Sequence, residues 1–201
     1  MTSGMRTRRG LLALLLAGCS LPALALELNE LMTLLGRHTS GQARFSEQRF
    51  VKGFDEPLLA SGTLSFTATP PRFERRTLEP RAESMVVEGN TVTLSRGGRT
   101  RTLALDAAPE ALVAVEAMRG TLTGNVQALQ RHFRTSLQGS LERWTLDLTP
   151  LSANAAGQLR FVRIVGLRDE VRSIETQLLD GDRTVITIEP VRGTGAAAPA
   201  R

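Results

Sequence analysis

Apolar residues recur along this chain with two different periods. Between Asn29 and His38, leucine and methionine recur at helical spacing, and Ser40-Gly41 ends the run. This spacing places the apolar side chains on one face of a helix. The pattern predicts that an amphipathic helix precedes the rest of the domain.

Short segments with a period of two residues follow, and they indicate β-strands separated by Gly, Pro and Asp turns. Gly89-Asn90 is typical of a two-residue hairpin turn with positive φ. About eleven segments have the pattern: residues 43–51, 58–68, 72–78, 83–87, 91–95, 99–105, 133–137, 144–148, 159–167, 171–179 and 184–189. So many strands must avoid exposed edges and cover an apolar face. We therefore predict a mainly β fold with helices (α+β), a curled antiparallel sheet or half-barrel whose concave apolar face the helices cover.

The helical period returns between Pro109 and Arg131, around Gly120 and Gly124. We call residues 109–131 the insert. Flexible methionine beside glycine suits a lid that moves, a helix bounded by Gly120 and Gly124. A fixed buried helix would have the same pattern. The apolar residues expected to contact a ligand from the insert are Leu112, Val115 and Met118.

The N-terminal residues 1–25 have the pattern of a secretory signal peptide. Three arginines precede an apolar run, and Ala23-Leu24-Ala25 supplies an A-x-A cleavage site. Cleavage there would begin the mature chain at Leu26. At the other end, residues 191–201 are Gly, Ala and Pro without periodicity, and we expect this tail to be disordered.

Two other readings of the N-terminal segment stay open. Leu16-Ala17-Gly18-Cys19 has the form of a bacterial lipobox, in which cleavage before Cys19 allows its thiol to be acylated and tethered to a membrane. Residues 7–12 also resemble a twin-arginine export signal. If cleavage instead follows Ala25, the mature protein has no cysteine, so disulfides and thiol chemistry are excluded.

Composition and charge argue against several classes of function. The chain has 201 residues, 41% hydrophobic and 22% charged, which is typical of one globular domain. Aromatic residues make up only 4%, too few for a platform that stacks bases or sugars. The net charge of +5 falls to +2 when the three signal-peptide arginines are removed, so nucleic-acid binding loses its main support. No segment has the roughly 20 apolar residues of a spanning helix.

Several short motifs resemble those of the LolA-type periplasmic lipoprotein carriers. Their order and spacing are similar to that family from Leu28 to Glu189, and the insert falls where the family has its lid helix. The motifs are Phe45-Ser46-Glu47-Gln48, Ser61-Gly62-Thr63-Leu64-Ser65-Phe66 before Pro71-Arg72-Phe73, Val86-Val87-Glu88-Gly89-Asn90-Thr91-Val92-Thr93-Leu94, and Leu146-Asp147-Leu148-Thr149-Pro150. The resemblance implies a lipid-binding domain over residues 26–190.

A curled sheet of this kind leaves room for acyl chains on its concave side. Each buried methylene would contribute about 0.8 kcal/mol, so no covalent chemistry is needed to hold a chain. The same alternation would also describe a dry core. The strand residues expected to contact the ligand are Leu64, Phe66, Phe73, Met85, Val87 and Leu94.

The chain departs from the family at one arginine. The family places an arginine just before the proline of the second motif, inside the cavity, where it can bind the lid. Here Thr69 and Pro70 occupy that place and Arg72 follows, so Arg72 is only a candidate latch or headgroup contact, because a shift of one residue reverses the face. The other arginines that a headgroup or partner could contact are Arg75, Arg76, Arg96, Arg99 and Arg101.

Nothing in the sequence indicates catalysis. His38 and His132 are not at ligand spacing, and there is no nucleophile elbow, phosphate loop or metal motif. We therefore expect no enzyme activity, no cofactor and no metal.

The resemblance implies a monomeric periplasmic carrier that takes the acyl chains of a lipoprotein or other lipid from an inner-membrane exporter to an outer-membrane acceptor. We expect no nucleic-acid partner. The alternative is an outer-membrane lipoprotein, acylated at Cys19, that acts as acceptor or in export of a lipid or pigment. An exported hydrolase is a third and more distant reading.

Overall fold

Eleven strands form one antiparallel sheet that curls without closing. The computed structural model describes residues 26–107, 109–153 and 157–191. The strands are β1 (Ser40–Phe50), β2 (Leu58–Ala68), β3 (Pro71–Glu79), β4 (Glu83–Glu88), β5 (Thr91–Arg96), β6 (Arg99–Ala104), β7 (Phe133–Ser140), β8 (Arg143–Pro150), β9 (Leu159–Leu167), β10 (Glu170–Leu178) and β11 (Arg183–Pro190). Their order is β6-β5-β4-β3-β2-β1-β11-β10-β9-β8-β7, so β6 and β7 are the two free edges.

The prediction of a curled antiparallel sheet with helices is confirmed, including the number of strands. The hairpin at Gly89-Asn90 is also confirmed, because Glu88 pairs with Thr91 across it and Gly89 has a φ of 56°. The signal peptide, the lipobox with Cys19 and residues 192–201 of the tail lie outside the described residues.

The three helices α1 to α3 lie on the concave face. They are α1 (Leu28–Leu35), α2 (Pro109–Leu122) and α3 (Val126–His132), and a short 3-10 turn over Leu105–Ala107 connects β6 towards α2. Asn125 begins α3, because its side-chain oxygen accepts a hydrogen bond of 2.9 Å from the backbone N–H of Ala128. In the described part of the chain, no helix combines the length and apolar character needed to cross a bilayer.

The insert differs from the sequence expectation at Gly120. That glycine was expected to bound a helix, but α2 runs through it to Leu122. Gly120 allows Leu129 of α3 to pack closely against α2, because a Cβ at Gly120 would lie 2.7 Å from the Cγ of Leu129. The insert is therefore two helices that pack on each other, with the corner at Gly124.

Two separate clusters of buried side chains hold the helices on the sheet. The larger lies between α1, α3 and strands β7 to β10, and its largest fully buried residue is Trp144, whose indole N–H donates to the carbonyl of Arg168 at 2.8 Å. The smaller joins α2 to β4 and β5 through Val87, Val92, Leu105 and Val115. The concave face of β1, β2 and β11 lies between these clusters.

The corner between α2 and α3 is held against α1 by two glycines. Gly124 has a φ of 65°, and a Cβ there would overlap the carbonyl oxygen of Met32 and approach Gly36 at 2.9 Å. A Cβ on Gly36 would in turn lie 3.0 Å from the carbonyl oxygen of Thr123. The backbones can approach this closely only without side chains, so the corner is fixed relative to α1.

We expect Gly124→Ala to lower the free energy of unfolding by about 2–4 kcal/mol, because the positive φ and the overlap with α1 both add to the cost. Gly97→Ala is the matched control: its φ is 55°, and nothing lies within 4 Å of a Cβ there. The control should lose only about 1 kcal/mol. Urea unfolding of both variants measures the difference, and equal losses would mean that the close approach contributes nothing.

Candidate functional site

A cavity of about 310 Å³ lies between helices α1 and α2 and the concave face of the sheet. Apolar side chains from both halves of the sheet and from α2 make up most of its wall, among them Leu64, Phe66, Phe73, Met118, Ile174 and Ile188. The volume is at the lower end of the roughly 300–1,000 Å³ found for ligand sites in proteins.

Small residues on the central strand β1 create this space. Ala43 pairs with Leu64, and Gly41 pairs with Phe66, so each large side chain of β2 has a small residue beside it. The ring of Phe66 lies over Gly41, since a Cβ there would be 2.5 Å from the ring's Cε1. Because β1 contributes little volume at these positions, the helices above it do not meet a filled surface.

The structure brings four of the nine predicted ligand contacts together in this cavity: Leu64, Phe66, Phe73 and Met118. Phe66 and Phe73 pair with each other, and they separate the cavity from a smaller one of about 30 Å³. The lipid-binding role of all nine residues stays a prediction.

The other five predicted contacts lie outside the main cavity. Val87 and Val115 are buried in the smaller cluster and border the 30 Å³ cavity, while Met85 and Leu112 pack against that cluster. Leu94 pairs with Met85 on the concave face but lies nearer the free edge, and it is 38% exposed.

Sequence reasoning did not anticipate the polar rim at the mouth of the cavity. His38, just after α1, and Asp169, just before β10, both line it, and the His38 Nε2 lies 2.9 Å from the Asp169 Oδ2. Both side chains are about half exposed. The adjoining Glu170 pairs with Arg172. This rim gives the apolar cavity a polar, water-facing end.

Arg72 lies on the strand face opposite to the cavity, because the next residue, Phe73, faces the cavity. Its guanidinium pairs with Glu88 at 3.0 Å and Glu74 at 2.9 Å, although the residue also borders the smaller cavity. Hydrogen bonds from Arg76 and then Arg72 hold the pKa of the Glu74 carboxyl below its usual value. That stabilisation is present above the unfolded pKa and is lost as the pH falls through the lowered value. A latch or headgroup role for Arg72 stays a prediction.

An arginine of α2 itself joins the insert to the sheet. One terminal nitrogen of Arg119 donates to the carbonyl of Gly89 at 2.6 Å, and the other donates to Glu116 at 2.7 Å. The contact ties α2 to the hairpin between β4 and β5. No motif in the sequence indicates this contact, because the two partners are 30 residues apart along the chain.

A curled sheet with helices over a preformed apolar cavity is an arrangement that suits noncovalent binding of an apolar ligand. Residues 20–200 match a protein family described as outer membrane lipoprotein carrier protein LolA-like. The chain therefore belongs to this family. Its members are envelope proteins that generally bind lipids or lipoproteins and are not enzymes. The resemblance found in the motifs is therefore confirmed.

Solved structures with a similar chain path are distant in sequence. A LolA superfamily protein from Nitrosomonas europaea has 9% identity and a TM-score of 0.44, with 84% of this chain and 94% of that chain covered. The Pseudomonas aeruginosa MucA/MucB complex has 16% identity and a TM-score of 0.48, with 86% of this chain and 58% of that chain covered. No curated protein matches this chain.

We expect Arg119→Ala to loosen α2 while leaving the sheet intact, because the variant removes the hydrogen bond to Gly89. Amide hydrogen exchange in α2 should become about tenfold faster, since a hydrogen bond from a charged donor contributes about 1.5 kcal/mol or more. Arg131→Ala is the control, because among the described residues the Arg131 side chain donates only to Gln127, within its own helix. Unchanged exchange in α2 would mean that the Arg119 contact does not hold the insert.

Proposed function

We propose that the protein is a periplasmic carrier that holds an acyl chain of a lipoprotein or another lipid in the 310 Å³ cavity and moves it from the inner towards the outer membrane. The observation that carries this proposal is the unfilled apolar space between α1, α2 and β1, with a polar rim at one end. An acyl chain matches it, because such a molecule has an apolar body and a polar head.

The expected binding energy is sufficient for a carrier. A chain of about twelve methylenes would contribute roughly 10 kcal/mol at about 0.8 kcal/mol each, before the cost of ordering the chain. The polar rim formed by His38 and Asp169 would leave the head of the lipid in water. Such a site binds firmly but can release its ligand without breaking a covalent bond.

Entry of a larger cargo requires α2 to move. The corner at Gly124 is fixed against α1, so movement would begin with loss of the Arg119 contact to Gly89 and of the packing of Val115 on the smaller cluster. Opening would expose Val115 and Met118 to water, at about 1.5–3 kcal/mol for a fully exposed side chain. A cargo that covers this surface would offset the cost.

The partners in this proposal are an inner-membrane exporter that loads the carrier and an outer-membrane acceptor that unloads it, with the carrier acting as a monomer. The second candidate function is an outer-membrane lipoprotein that serves as acceptor or in lipid or pigment export. The lipobox at Leu16-Ala17-Gly18-Cys19 favours this second function.

Binding of a fluorescent fatty-acid probe tests the cavity. We expect the mature protein to bind the probe and Phe66→Arg to weaken binding by about tenfold or more, because a guanidinium in an apolar cavity is costly to desolvate. Ala43→Phe is a second variant that fills the space without adding charge, and it should also reduce binding.

Phe54→Arg is the matched control, since Phe54 is 65% exposed and lies in the turn between β1 and β2. It should bind the probe like the unchanged protein. Circular dichroism establishes that each variant is folded. If the folded Ala43→Phe and Phe66→Arg proteins bind the probe as tightly as the control, the cavity is not the lipid site.

Mass spectrometry of the mature protein, extracted from cells with its membranes, distinguishes the two candidate functions. A chain that begins at Leu26 with no added mass is expected for the carrier. An N-terminal Cys19 with two or three acyl groups would contradict a freely moving carrier and establish the tethered lipoprotein. Cys19→Ala is the control for the second outcome, because it should remove the acylated species.

A further inference from the structure

The free edge of the sheet at β6 carries two arginines that have no acidic partner among the described residues. Six arginines were predicted as possible contacts of a headgroup or partner. Four of them are in ion pairs with glutamates: Arg72, Arg75, Arg76 and Arg96. The side chains of Arg99 and Arg101 form no ion pair or hydrogen bond with any described residue. Both belong to β6, where every residue except Leu103 is exposed.

The pairing of β6 with β5 determines which backbone groups face outward. The N–H of Leu105 donates to the carbonyl of Asn90 at 2.8 Å, so this pair is hydrogen bonded. Antiparallel pairs alternate between hydrogen-bonded and non-hydrogen-bonded positions. The N–H and C=O groups of Thr100, Thr102 and Ala104 therefore point away from β5. Together they form a ladder of backbone groups that could hydrogen bond to an added strand.

The side chains beside this ladder give it a chemical preference. Arg101 pairs with Leu94 and Leu103 pairs with Val92, so Arg99, Arg101 and Leu103 lie on the concave face. Leu94 is 38% exposed there. A strand added to β6 would place every second side chain beside the two guanidinium groups, and its remaining side chains beside Thr100 and Thr102 on the outer face.

We propose that β6 is a docking edge for an extended acidic segment of a partner protein, which adds to the sheet as a twelfth strand. Carboxylates at alternate positions would pair with Arg99 and Arg101, and the backbone would supply the remaining hydrogen bonds. Charge on an edge strand also protects against unwanted pairing. For an acidic strand this protection becomes attraction, so the same two residues would favour an acidic strand over other strands.

The test uses fluorescence anisotropy with a labelled peptide of about ten residues in which Glu and Thr alternate. We expect saturable binding that weakens as salt screens the charges. Arg99→Glu with Arg101→Glu should reduce the affinity by about tenfold or more. Thr102→Pro should abolish binding, because it removes an outward N–H and leaves the bonds to β5 in place.

Three controls separate strand addition from general attraction. Arg134→Glu changes an exposed arginine on the other edge strand, β7, and should leave binding unchanged. A peptide with Lys in place of Glu should not bind. A peptide of the same composition with all Glu residues in one block should bind weakly, since it cannot place carboxylates at alternate positions.

The proposal is wrong if no saturable binding occurs; Arg99 and Arg101 would then only prevent unwanted strand pairing at the edge. It is also wrong if Thr102→Pro binds as well as the unchanged protein. It is also wrong if the charge-reversed protein differs only in binding to vesicles of phosphatidylglycerol and phosphatidylcholine, which would indicate a membrane surface instead. Fatty-acid binding should be the same in all these variants, so failure at β6 is distinguishable from failure of the cavity.

Discussion

Strand β1 pairs with β2 on one side and with β11 on the other, and the second of these pairings joins the beginning of the domain to its end. Phe45 and Ile188 meet in this register, and both are buried. Without it, β1 to β6 and β7 to β11 would be two separate sheets, each with its own cluster of apolar side chains. The cavity draws its wall from both halves, so it exists only because β1 and β11 are neighbours.

The same junction is where the packing is least complete. Each half of the sheet has a helix that covers it, but the central strand has Gly41 and Ala43 where large side chains would be needed to fill the space. Close packing is the ordinary state of a protein interior. This domain departs from it where its two well-packed regions meet, so the cavity lies outside both clusters of buried side chains.

Much of this arrangement could be predicted from local sequence patterns. Alternation along the strands gave the number of strands and the face of Leu64, Phe66 and Phe73, because the side of a strand depends only on the period. How deeply a side chain is buried does not follow from the period. Val87 has the same alternation as Phe73, but it is buried under Val115, and that contact depends on where α2 lies. The pairs His38 with Asp169 and Arg119 with Gly89 join distant segments, so no local signal exists for them. Gly120 was assigned to a helix end because glycine is typical there, whereas its actual role is to admit Leu129.

The contact between Gly36 and Gly124 has a consequence for how such a protein can diversify. Both partners are backbone, and neither lines the cavity. If the cavity holds a cargo as proposed, substitutions that reshape it would leave the anchor of the insert intact. Substitutions near the anchor would change how readily the insert opens and leave the cavity wall unchanged. In the proposed carrier, cargo selectivity and movement of the insert would thus depend on different residues of one small domain.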